Sequence, residues 1–129
     1  MTIPEKTFAL WGASASAIAL VPAAQFKYGG LYQNVTYPCV MFQRITGQRF
    51  RTFAEGAAGS IEFDLWQFSI HTTGDTAASS ADTIRLKLIE VFDGNHGGFS
   101  YLYRGVQATI ASQDQRYLLM PVDFLVSTA

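Results

Sequence analysis

Apolar residues recur every three or four positions near the N-terminus and again around the middle of the chain. Elsewhere they alternate or run together, and this change of period sets the expected element order. Phe8, Trp11, Ala15 and Ile18 stand at helical spacing. Thr2 and Glu5 are placed as a capping box, and Pro4 suits a first helical turn, so a helix is expected over about 4–20, ended by Pro22. Gly29-Gly30 and the polar Gln33-Asn34 mark 23–36 as a connecting loop, with Leu31 and Tyr32 pinning it to the body. Val40, Met41 and Phe42 form a first strand, with Pro38 at its start or edge, where no ladder N–H is needed.

From Ile45 to Ser60 the pattern loses its period. Gly47, Gly56 and Gly59 punctuate an Arg- and Phe-bearing stretch expected to leave the body as an extended arm of about 46–60. Ile61 to Thr72 then reads as a long strand. Phe63 and Leu65 share one face before Trp66, Phe68 and Ile70 take the other, a phase change that implies a bulge or a strand apolar on both sides. Asp75 is the expected N-cap of a second helix with the stripe Ala77, Ala81, Ile84, Leu88 and Val91, stopped by Gly94.

Two strands close the chain. One spans roughly Phe99 to Ser112, with Val106, Ala108 and Ile110 on one face. The other spans Tyr117 to Val126, and Ser112-Gln-Asp-Gln115 is the turn between them. The order helix, strand, arm, strand, helix, strand, strand gives an α+β class. Its simplest form is a two-layer sandwich: a mostly antiparallel four-stranded sheet, two helices on one face, and the long arm between the first two strands. Residues 1–129 read as one domain without linker or repeat. The sheet face away from the helices would carry Phe63, Tyr117, Leu119 and Leu125, too apolar to stay wet, so a neighbouring subunit is expected over part of it.

Composition supports that expectation. Hydrophobic residues make up 49% and charged residues 15%, and the 10 Phe, 6 Tyr and 2 Trp are residues enriched where proteins meet. A net charge of −1 offers no global attraction to nucleic acid or anionic lipid. The basic residues Arg44, Arg49 and Arg51 nonetheless fall close together in the arm, interleaved with Phe50 and Phe53. Such a mixture serves either a protein contact or a single-stranded nucleic-acid site, and three arginines without a wider basic field favour protein. A small ligand- or nucleic-acid-binding module using this arm is the alternative reading.

Catalytic candidates are thin. His71 and His96 are not at zinc-ligand spacing, Glu62 and Asp64 share one side of a strand, and the single Cys39 reads as a buried small hydrophobe in a chain suited to a reducing compartment. No phosphate loop, nucleophile elbow or CxxC occurs, so neither an enzyme nor a cofactor nor a metal site is expected. The Ala- and Ser-rich stretch from Ala13 reads as helix rather than signal peptide, because Glu5 offsets Lys6 and Gly12, Ser14 and Ser16 interrupt the apolar run. No apolar run is long enough to span a bilayer, so no membrane is expected.

Four pieces in this order carry a family resemblance: the Pro-led strand closing in Gln43-Arg-Ile-Thr-Gly47, the Trp-bearing strand Phe63 to Ile70, the helix end Phe92-Asp93-Gly94, and Val122-Asp123-Phe124 near the C-terminus. Across nearly its whole length the chain resembles the tail-completion, or tail-terminator, proteins of long-tailed bacteriophages and prophages. The resemblance implies a small α+β subunit made in the bacterial host cytoplasm. It would form a homo-oligomeric, typically hexameric, ring at the tail-neck junction of the virion. That ring would stop polymerisation of the tail tube protein, meet the head-tail connector or stopper protein, and leave a channel through which DNA passes without sequence-specific binding. No catalysis and no cofactor are implied. The expected anchors of the subunit or tube interface are Arg44, Arg49, Phe50, Arg51 and Phe53 on the arm and Phe63, Tyr117 and Leu119 on the sheet.

Overall fold

Thr2 opens the first helix as read: its Oγ1 accepts the Glu5 N–H at 3.3 Å, and Pro4 sits in the first turn of α1 (Ile3–Gly12). The helix does not run on to residue 20. Gly12 is a poor helix former, and the Ser14 hydroxyl takes the Ala17 N–H at 3.3 Å, starting a separate helix, α2 (Ala15–Leu20). The break turns the chain so that Trp11 Nε1 donates to the Val21 carbonyl at 2.9 Å. The computed structural model describes residues 1–29, 35–51, 60–114 and 116–128, with side chains except at 46–51 and 60–62.

After a 3₁₀ turn at Ala23–Gln25 come β1 (Phe26–Tyr28), β2 (Cys39–Arg51), β3 (Ser60–Thr73), α3 (Ala77–Phe92), β4 (Gly94–His96), β5 (Phe99–Val106), β6 (Ile110–Ala111) and β7 (Tyr117–Thr128). The sheet order is β1-β2-β3-β7-β5-β4, with β6 on β7; β1 runs parallel to β2 and the other neighbours are antiparallel. This corrects the expected four-stranded two-layer sandwich. Among the described residues the sheet is mixed, has seven strands, curls strongly into a half-barrel and carries three α-helices. The extra strands, β1, β4 and β6, are two or three residues long, too short to leave a period in the sequence. Strands of 12 to 14 residues accumulate twist, and bulges at Ile45 in β2 and Arg104 in β5 add to it, so a flat layer is not available.

The ends of the expected arm are paired strands. Residues 45–51 continue β2 and Ser60 begins β3, with Arg51 opposite Ser60, so these ends form a β2–β3 hairpin, while β7 pairs with β3 only from Asp64 onward. Positions 52–59 lie outside the described residues. The phase change along β3 is explained by its partner. Arg44 faces Trp66 and Thr46 faces Leu65, which makes Ile45 the extra residue on β2, while β3 pairs without a slip with β7 from Asp64 to Thr73. β3 is therefore apolar on both sides.

The helices cover the face bearing Val40, Phe42, Trp66, Phe68, Ile70, Val122 and Phe124. At its centre Trp11 stacks on Phe26 at 4.8 Å and Phe92 at 6.0 Å, and Phe68 meets Phe92 and Phe124 at 5.2 and 5.3 Å. Each such pair adds about 0.5–1.5 kcal/mol beyond simple burial. The α3 stripe is Ala77, Ala81, Ile84, Leu88 and then Phe92 rather than Val91. Thr76, not Asp75, occupies the N-cap, and Asp75 pairs with Arg116 at 3.1 Å on the surface. Gly94, at φ 124°, turns the chain out of α3 in a conformation other residues avoid. The strand expected over 99–112 is interrupted after Val106, and both Val106 and Ile110 are exposed.

Candidate functional site

The sheet face away from the helices is built by alternation. Odd positions of β3 and β7 share it, and the ladder sets them in rows: Leu65, Leu125 and Leu102; then Gln67, Asp123 and Gly105; then Ser69 and Pro121; then Cys39, His71 and Leu119. Phe63, Tyr117 and Leu119, expected here, are here and half-buried. Leu125 is on the same face but only 4% exposed. Leu102, at 52% exposure, takes its place as the apolar surface of that row.

The hairpin anchors do not join this group. Arg44 pairs across the ladder with Trp66, a helix-face residue, and its guanidinium lies 3.1 Å from the Asp64 carboxylate in a partly exposed ion pair. Surface pairs of this kind contribute under about 1 kcal/mol. Arg49, Phe50 and Arg51 occupy β2 positions opposite Glu62, Ile61 and Ser60, with side chains outside the described set, as is all of Phe53. The expected anchors thus fall on two surfaces, the hairpin and the open face.

One end of the open face holds titratable groups. His71 Nδ1 and Tyr117 Oη lie 2.8 Å apart, Cys39 faces His71 across the ladder, and the Tyr37 ring meets Tyr117 edge-on at 6.0 Å. Burial pushes the Cys39 thiol up, the His71 imidazole down and the Tyr117 phenol up, each toward its neutral form. A nucleophilic thiolate needs the opposite shift, so the corner is suited to packing and hydrogen bonding rather than attack on a substrate. His96 lies apart from it, its Nε2 2.8 Å from the Phe92 carbonyl at the end of α3. Among the described residues no group of three or more His, Cys, Asp or Glu could hold a metal ion. No described helix is long and apolar enough to cross a membrane.

The sequence reading missed the centre of the face. Asp123 is 4% exposed and is held by Gln67 and Gln107, whose Nε2 groups donate to Oδ1 and Oδ2. Beside it a depression of about 260 Å³ is lined by residues that include Met41, Gln43, Gln67, Ser69 and Leu119. The signal is a single acidic residue among the otherwise apolar open-face positions Tyr117, Leu119, Pro121 and Leu125 of β7.

No protein-family model matches the chain, and no curated protein matches it. Among solved structures, the chain superimposes on one from the virion of a native gene transfer agent particle with a TM-score of 0.65 and 12% identity, over 94% of this chain and 90% of that one. At that identity the likeness is one of fold: end to end, the chain has the fold of a subunit found in a gene transfer agent virion.

Proposed function

We propose that this protein is a structural subunit of a phage-like virion. Within the virion it forms a ring at the head-proximal end of the tail tube, ending tube growth and joining tail to head connector. The observation that carries the reading is the end-to-end fold match to a virion chain of nearly the same extent, in which neither chain has a large part left over. The tail-terminator resemblance of the segments 38–47, 63–70, 92–94 and 122–124 supplies the finer position.

A closed ring requires a heterologous contact, in which one patch meets a different patch on the next copy. The division of anchors between hairpin and open face suits that geometry. The hairpin, with Arg44, Arg49, Phe50, Arg51 and Phe53, is one patch; the open face, with Phe63, Tyr117 and Leu119, is the other. The role is mechanical, and no substrate is transformed. Particles purified on a density gradient and analysed by quantitative mass spectrometry test the reading. The chain is expected in intact particles at several copies per particle, and its absence from them would refute a virion role.

A further inference from the structure

Asp123 stands near the middle of β7 with its carboxylate removed from water, yet its two donors, Gln67 and Gln107, are neutral amides. The ion pairs among the described residues engage Asp64, Asp75, Asp82 and Glu90, and none engages Asp123. Burying a carboxylate without a cation is costly, and aspartate is disfavoured within strands. Across the ladder stands Gly105, and where its Cβ would be there is no atom within 4 Å. The missing side chain therefore leaves an open notch in this row beside Asp123, whose carboxylate is oriented by two amides and engaged by no cation among the described residues.

We infer that this notch receives an arginine side chain from the hairpin of a second copy. The second copy comes from the ring reading above, on which the inference rests. Two amides fix the carboxylate without cancelling its charge, which suits the forked donors of a guanidinium. Arg44, Arg49 and Arg51 place three such groups within eight residues of the hairpin. The chain's own Arg44 cannot serve, because it stands on the helix-side face and pairs with Asp64, whereas Asp123 belongs to the open face. A contact in trans removes that obstacle. It also joins two different patches, as ring closure demands.

Sedimentation equilibrium of the full chain tests this, comparing wild type with Asp123→Asn, alone and combined with Arg44→Gln, Arg49→Gln or Arg51→Gln. Asp123→Asn keeps the shape and an acceptor for the glutamines, so it is expected to fold. It should weaken association by about tenfold or more and reduce its salt sensitivity. One of the three arginine changes should add nothing further in the Asp123→Asn background. Equal assembly of wild type and Asp123→Asn overturns the inference while leaving the ring intact. A weakened Asp123→Asn whose defect adds fully to all three arginine changes assigns the cation to another partner and also overturns it. A wild type that is monomeric at every concentration removes the second copy, and with it the inference. An oligomer that depends on Asp123 but is not a closed ring upholds the contact and defeats the ring. Should Asp123→Asn not fold, the arginine variants decide: unchanged assembly when all three are replaced overturns the proposal.

Discussion

Thr7 Oγ1 and Tyr101 Oη, 94 positions apart in the chain, lie 2.9 Å apart in the core and tie α1 to β5. The Thr7 hydroxyl already donates to the Ile3 carbonyl at 2.7 Å, so the Tyr101 phenol is the donor between them. Burial raises that phenol's pKa and keeps it protonated, as a donor must be. Tyr101→Phe removes one donor and leaves Thr7 with its other bond. The expected loss is about 0.5–1.5 kcal/mol, read as a lower urea midpoint at unchanged m-value. An unaltered midpoint would show that the bond contributes nothing.

His71 makes a prediction about pH. Its pKa is lowered in the folded chain by burial, so between that value and the ordinary histidine range the unfolded chain binds more protons. Stability should accordingly be held above about pH 6.5 and fall as the pH drops below it. The groups facing His71, Tyr117 and Cys39, titrate on the alkaline side and do not obscure this window. His71→Gln should flatten the dependence of the thermal midpoint on pH between about 5 and 7. An undiminished slope would assign it to other groups.

Long periodic segments were legible in the sequence. The Thr2 cap, the Ala77-to-Leu88 stripe, the alternation of β7 and the two-sided character of β3 follow from the spacing of apolar residues. Where the reading went astray, the cause lay in chemistry that periodicity does not see. Ser14 competes for a backbone N–H and splits one helix into two. Phe26-Lys27-Tyr28 is too short to show alternation but still adds a parallel edge strand. Ile45 slips the register of β2, and the ends of the expected arm pair with each other as a β2–β3 hairpin that runs past the last β7 pairing at Asp64. The open face was legible in outline from Phe63, Tyr117 and Leu119. Its polar centre was not, because a lone Asp123 becomes notable only once the ladder sets it between Gln67 and Gly105.

Trp11 is the side chain whose loss should be felt most widely. It is 1% exposed, packs against the Phe26 and Phe92 rings, and bonds the Val21 carbonyl. Trp11→Ala should cost about 3–5 kcal/mol through the cavity left behind. Trp11→Phe should cost less but still leave the Val21 carbonyl unpaired. Chemical denaturation of the two variants gives the comparison, and equal losses would mean that the indole N–H is without weight.

Shortening the hairpin separates folding from assembly. Deleting 49–53 leaves β2 paired with β3 from Cys39 to Gln48 and leaves the core residues in place. The expected product is a folded monomer with wild-type far-UV circular dichroism that neither forms rings nor completes tails. Rings or infectious particles built from this variant would deny the hairpin its role.

The most direct measurement is electron cryomicroscopy of particles from a producing host, with density for this chain located by its curled sheet and three helices. A closed ring of copies between capsid and tail tube, hairpin of one against open face of the next, is the predicted result. A single copy in the virion, or density for the chain only away from that junction, would contradict the account.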